Sequence, residues 1–206
     1  MPELRPLLEL RPPPERGTIP EARTARSSPR IALTDTVQPL PPVTRFILRG
    51  GTPAREAVAS AFGVDIPAVP CHANHAGARA ALWLGPDEWL LLAPDSDSSA
   101  LGPALTAALR DVPHSLVDVS HRQIGCSIIG PAAAELLSSG CPLDLDTRAF
   151  PVDMCTRTML AKAEVVLWRT GTQTFRLEVW RSFAAYVSLF LAEAGRGMRM
   201  SEGASS

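Results

Sequence analysis

Two short clusters carry residue types that do chemistry. Asp118, Ser120 and His121 supply a carboxylate, a hydroxyl and an imidazole, the groups a serine hydrolase aligns. Such a triad is assembled in space from separated segments, and neighbours within four residues do not point at one another. The chain also has no Gly-x-Ser-x-Gly elbow. The cluster reads as the polar end of a strand. Cys71, His72 and His75 offer one thiolate and two imidazoles. A structural zinc takes four ligands, usually as two separated pairs, and Cys126, Cys141 and Cys155 stand singly. No metal site is assigned.

Phosphate chemistry has no better footing. The chain lacks both Gly-x-Gly-x-x-Gly and a lysine-bearing phosphate loop, and Gly50-Gly51 before a helix reads as a strand-to-helix turn. What remains is aromatic. Trp83 and Trp89, then Trp168 and Trp180, sit close in sequence to Arg122, Arg169 and Arg181. Protein interfaces concentrate tryptophan and arginine, and core packing uses the same rings. Both readings stand at this point.

The elements that must position these residues follow from periodicity. Val43 to Leu48 reads as a strand ending at Gly50-Gly51; Thr52 then caps a helix with Pro53 first, and Gly63 stops it. Ala80 to Trp83 and Trp89 to Leu92 are antiparallel arms about the turn Gly85-Pro86-Asp87-Glu88. Asp95 to Ser99 supplies caps for a second helix carrying Leu101, Leu105, Ala108 and Leu109. Leu116 to Val119 and Gln123 to Ile129 are strands, and Gly130-Pro131 opens a helix ended by Gly140 and Pro142. Glu164 to Arg169 and Thr174 to Trp180 form a second hairpin about residues 170–173. Ser182 caps a last helix, with Phe183, Tyr186, Val187, Phe190, Leu191 and Ala194 as its apolar stripe and Gly195 and Gly197 at its end.

That order is nearly one unit twice. Two βαββαβ-like units with antiparallel-rich sheets and outer helices make an α+β domain over residues 43–197. Residues 1–42 hold half of the 20 prolines without apolar periodicity and read as a disordered arm. Residues 198–206 read as a flexible tail.

Composition sets the outer limits. A net charge of -1 gives no electrostatic case for nucleic acid or an anionic membrane. No apolar run approaches the roughly 20 residues that span a bilayer, and Glu3, Arg5 and Glu9 interrupt the N-terminal leucines, so no secretory signal is expected. Four scattered cysteines do not form a disulfide framework, and a cytoplasmic location is the expectation.

A resemblance covers about Val43 to Glu193. Leu82-Trp83-Leu84-Gly85-Pro86-Asp87-Glu88-Trp89-Leu90-Leu91, Asp118-Val119-Ser120-His121-Arg122, Gly140-Cys141-Pro142-Leu143-Asp144-Leu145, Phe150-Pro151 and Trp180-Arg181-Ser182-Phe183-Ala184 resemble, in that order, the gamma subunits of heterotetrameric sarcosine oxidase. Asp118 to His121, followed by Gly130-Pro131-Ala132-Ala133, is also similar to the folate-binding aminomethyltransferases of glycine cleavage. Where those enzymes carry an adjacent aspartate pair, this chain has Ala163 and Glu164, and where they carry an asparagine it has Trp180.

The resemblance implies a folate-fold relative without the active-site carboxylates. It implies a non-catalytic subunit of an oxidoreductase complex that oxidatively demethylates sarcosine to glycine, giving hydrogen peroxide and 5,10-methylenetetrahydrofolate. FAD, FMN, NAD, tetrahydrofolate and zinc are then expected in the alpha, beta and delta partners. No catalytic, cofactor-binding or metal residue is assigned here. Subunit contact is expected of Trp83, Asp87, Glu88, Trp89, His121, Arg122, Trp180 and Arg181. One alternative is a stand-alone folate-dependent aminomethyl transferase using Glu164. Another is a folate-binding regulator of iron-sulfur repair, whose Lys-Gly-Cys motif Asp153-Met154-Cys155 does not reproduce.

Overall fold

A computed structural model describes residues 36–204, with side chains described as far as Met198. Most of the expected arm, residues 1–35, and residues 205 and 206 lie outside the described residues.

The element order is β1 (Val37–Pro39), β2 (Val43–Gly50), α1 (Thr52–Phe62), β3 (Ala73–Ala76), β4 (Arg79–Gly85), β5 (Glu88–Pro94), α2 (Ser98–Ala108) and β6 (His114–Asp118). There follow β7 (Gln123–Ile129), α3 (Ala133–Ser138), β8 (Cys155–Leu160), β9 (Ala163–Gly171), β10 (Thr174–Trp180) and α4 (Ala184–Ala204). Two five-stranded sheets result, ordered β3-β4-β5-β2-β6 and β1-β7-β10-β9-β8, with antiparallel pairing throughout.

The two sheets are built alike. In the first, β2 lies between β5 and β6; in the second, β7 lies between β10 and β1. The second unit therefore takes its outer strand from the beginning of the chain. Val37, Gln38 and Pro39 stand opposite Ile128, Ser127 and Cys126, and Val37 is 2% exposed. Three residues expected in the arm thus belong to the fold. Their sequence gives little sign of it, since a three-residue edge strand beside prolines has no periodicity to read.

Packing runs in four layers. Phe46, Leu48, Trp89 and Leu91 on one face of the first sheet meet Ala54, Val58, Leu101 and Leu105 of α1 and α2. Phe175, Leu177 and Val179 on one face of the second sheet meet Leu136 of α3 and Val187 and Leu191 of α4. The opposite faces pack on each other through Leu82, Leu90, Leu92, Cys155, Val166 and Trp168. A strand buried on both sides reads as a continuous apolar run, as Trp89 to Ala93 does.

The first hairpin forms as its sequence predicts. Ala80 stands opposite Leu92 and Trp83 opposite Trp89, with Pro86-Asp87 as the loop. Helix ends differ more. Gly51 rather than Thr52 caps α1 and makes no side-chain bond, while Gly63 closes it with φ 74° and an N–H donated to the Ala59 carbonyl at 2.9 Å. Asp95–Asp97 and Arg181–Phe183 are 3-10 turns leading into α2 and α4, with no side-chain cap at Asp97 or Ser182. Helix α4 runs through Gly195 and Gly197, and through most of the expected tail, to Ala204. Each helical glycine costs about 1 kcal/mol relative to alanine, which a 21-residue helix anchored on the core absorbs.

Candidate functional site

Alternation places Arg45 on β2 and Arg176 and Glu178 on β10 opposite their apolar neighbours, on the faces where the two sheets meet. The sheets therefore enclose charge. Arg45 Nε donates to Glu178 Oε2 at 2.8 Å, and Arg176 Nε donates to Glu178 Oε1 at 2.8 Å. The side chains of Arg45 and Glu178 are 3% and 1% exposed. Arg45 Nη1 is spent on the Val43 carbonyl at 2.9 Å. Gly125 faces this group: a Cβ there would lie 2.9 Å from Glu178 Oε1. The two arginines share one carboxylate, so Glu178 is paired at both oxygens and the cluster carries a net positive charge.

Ser120 belongs to the same group. Its Oγ accepts from Arg45 N at 2.9 Å, and its own N–H donates to Asp118 Oδ1 at 2.8 Å. The hydroxyl that a hydrolase would use as nucleophile is thus a backbone clamp on β2. His121 is exposed beside it, with neither Ser120 nor Asp118 as a hydrogen-bond partner. The polar strand end read from sequence is what the structure contains.

The Cys71-His72-His75 cluster leads into β3 and spreads over an edge. Cys71 has φ 57° and its carbonyl accepts from Cys155 N at 2.8 Å; His72 bridges to Met154. His75 Nε2 lies 3.5 Å from Asp153 Oδ1, and its ring is 5.9 Å from Trp168. Among the described residues no group of three His, Cys, Asp or Glu side chains is placed to hold a metal. A polar cavity of about 790 Å³ opens here, lined by Glu56, Asp65, His72, Asn74, His75 and Asp153. Burial pushes the thiols of Cys126 and Cys155 up to about 12, so both remain protonated and unreactive at neutral pH.

The expected contact residues divide. Trp89 is a core residue: it is 3% exposed, and Nε1 donates to the Pro67 carbonyl at 2.8 Å. It is withdrawn from the contact surface, because its ring packs on α1 and α2 rather than outward. Trp83 is half-buried against the same layer. Asp87 Oδ2 accepts from Arg49 at 3.0 Å on the open surface. Glu88 Oε1 accepts from Arg157 at 2.6 Å and ties the first sheet to β8 of the second. Glu164 is exposed and 3.9 Å from the same arginine. Arg122 lies 5.0 Å over the ring of Trp180, which is 40% exposed, and its carbonyl accepts from Arg181 N at 2.8 Å.

Arg45 and Glu178 were not singled out by sequence reasoning. The available signal was a charged residue inside an apolar strand, in Thr44-Arg45-Phe46 and Leu177-Glu178-Val179.

Comparison with known proteins agrees with this geometry. The model of a family described as the sarcosine oxidase, gamma subunit family matches residues 50–196. The chain is 39% identical over 139 residues to sarcosine oxidase subunit gamma of Corynebacterium sp. strain P-1, covering 67% of this chain and 68% of that one. It is 41% identical over 126 residues to the subunit of that name from an Arthrobacter sp., covering 61% of each. The structure aligns with a chain of heterotetrameric sarcosine oxidase from Corynebacterium sp. U-96, in complex with pyrrole 2-carboxylate. The TM-score is 0.72 at 35% identity, covering 77% of this chain and 82% of that one. Aminomethyltransferase T of the Bartonella henselae glycine cleavage system shares the fold, with a TM-score of 0.59 at 11% identity over 75% of this chain and 44% of that one.

Proposed function

The chain belongs to the sarcosine oxidase gamma subunit family, and from that premise we propose that it is the non-catalytic gamma subunit of a heterotetrameric sarcosine oxidase. The assembled complex oxidatively demethylates sarcosine to glycine, with hydrogen peroxide and 5,10-methylenetetrahydrofolate as further products. Its alpha, beta and delta subunits carry FAD, FMN, NAD, tetrahydrofolate and zinc, and the complex works in the cytoplasm. Among the described residues no helix is long and apolar enough to cross a membrane.

One observation carries the non-catalytic reading. Between the sheets Arg45 and Arg176 share the single carboxylate of Glu178, which is thereby paired at both oxygens, and the Ser120 hydroxyl oxygen accepts the Arg45 backbone N–H. A general acid or base must reach its substrate within hydrogen-bond distance, and Glu178, the acid enclosed between the sheets, is already committed to two arginines. Coexpression with the three other subunits, followed by native mass measurement, tests the assignment. The expected result is a four-chain assembly in which omission of this chain leaves the flavin of the large chains bound. A chain that never joins them overturns it.

The alternative of a folate-dependent transferase turns on Glu164. Calorimetry of the isolated chain with tetrahydrofolate is expected to give no heat. Binding, together with transfer activity abolished by Glu164→Gln, would replace the subunit reading.

A further inference from the structure

Between the two sheets, at the end where β5 and β9 stop, lies a cavity of about 570 Å³. The second sheet lines it with a row of cross-strand neighbours: Trp168 stands opposite Arg176, and Arg176 opposite Ser127. Val43, Ala80 and Leu92 line it from the first sheet. Leu40 N donates to the Gly125 carbonyl at 3.0 Å, which fixes Leu40, Pro41 and Pro42 as a third wall. Apolar walls around a few placed polar groups, at this volume, are the usual make-up of a small-molecule site.

Charge in this cleft is unbalanced. Arg176 Nε donates to Glu178 Oε1 at 2.8 Å and its Nη2 lies 2.7 Å from the same oxygen, while Oε2 serves Arg45. The Arg176 side chain is 18% exposed, and its Nη1 has no hydrogen-bond partner among the described residues. Trp168 Nε1 is likewise without a partner among them. The other basic groups at the cleft are committed: Arg79 lies 2.7 Å from Asp97, and His75 3.5 Å from Asp153. Asp95, exposed at the rim, is the one acid among the lining residues described. Guanidinium nitrogens bind carboxylates by charge-assisted hydrogen bonds, which gain strength where water is excluded.

We infer that this inter-sheet cleft is a binding site for a small organic monocarboxylate, with the carboxylate on Arg176 Nη1 and the apolar body between Trp168, Leu92 and the Pro41-Pro42 wall. One surplus positive charge, with Asp95 at the rim, favours one carboxylate over two. Glu164 and Trp180, which stand where the aminomethyltransferases carry polar residues, lie four positions away along the same two strands and do not line the cleft. The site goes beyond the subunit reading and does not depend on it.

The test titrates benzoate into the full isotope-labelled chain and follows the indole N–H signals by nuclear magnetic resonance, with Trp168→Phe assigning the Trp168 signal by its loss. Saturable movement of that signal, with a Kd on the order of 1 mM or tighter, is expected. Benzamide, the neutral analogue, and phthalate, the dicarboxylate, should each bind at least tenfold more weakly. Arg176→Gln should weaken benzoate at least tenfold, and so should Ser127→Leu, which crowds the cleft while leaving both arginines and Glu178 in place. Thermal melting shows that each variant keeps its fold, and the comparison of benzoate with benzamide in the wild-type chain needs no variant. Equal binding of benzoate and benzamide overturns the inference, as does a Trp168 signal that millimolar benzoate leaves unmoved. Undiminished benzoate affinity in a folded Arg176→Gln chain overturns it too.

Discussion

Arg45 and Glu178, 133 residues apart, meet at 2.8 Å between two sheets, both almost wholly out of water. The pair bolts the sheets in register, because a shift of one residue along either strand would turn its charged partner to the opposite face. It is an expensive fastening. Two desolvated charges repay their transfer from water only when the geometry is good, and here Arg176 supplies the second donor that Glu178 requires.

Removing the acid alone is therefore expected to be severe. Glu178→Ala strands Arg45 in a dry interface and should cost about 3–5 kcal/mol, read as a lower urea midpoint at unchanged slope. Arg45→Met combined with Glu178→Leu should recover most of that loss. A double variant no more stable than Glu178→Ala would show that the pair contributes more than its mutual neutralisation.

Alkaline pH probes the same interior. Burial raises the Cys126 thiol, aided by the Glu178 charge, from an unfolded value of 9.0 to about 12. Below pH 9 both states hold the proton. Above it the unfolded chain releases the proton while the folded chain keeps it, so stability falls between pH 9 and about 12. The loss from this thiol should reach about 1.4 kcal/mol by pH 10. Cys126→Ala is expected to flatten the dependence of the urea midpoint on pH between 8 and 10, leaving the parallel contribution of Cys155.

What the sequence made legible were the strongly periodic pieces. Trp83 and Trp89 about Pro86-Asp87 sufficed to place a hairpin, and α1 was marked by Pro53 and Gly63. Two inner-sheet edges escaped notice. β3, Ala-Asn-His-Ala, has no large apolar residue, and β8, Cys-Thr-Arg-Thr-Met-Leu, sets a charge in mid-strand. The burial of Arg176 and Glu178 on β10 was not legible for a different reason. Alternation distinguishes one face from the other but does not say that the polar face meets a second sheet rather than water. Contact residues divided along the same line: Trp89 lies under the helices, whereas Trp180 and Arg122 stay outside.

The hairpin tryptophan gives a third measurement. Trp89 Nε1 satisfies the Pro67 carbonyl within a buried layer. Trp89→Phe keeps much of the ring but leaves that carbonyl without its donor, at a cost of about 1–3 kcal/mol. Denaturant unfolding should show this loss while subunit assembly is unchanged. Assembly lost in a stably folded Trp89→Phe chain would return this residue to the contact surface.

The outer strand β1 bears on how the molecule comes into being. Val37 must wait for Ile128, which a ribosome delivers about 90 residues later, at roughly 5–20 residues per second. For several seconds the earliest-made strand has no mate, and the prolines at 39, 41 and 42 discourage it from borrowing a wrong edge in the meantime. The half of the chain made last is completed by a piece of the half made first. Cutting between β6 and β7 would thus yield a first half with a stray end and a second half with a bare edge. The duplicated architecture hides a single cooperative unit rather than two separable ones.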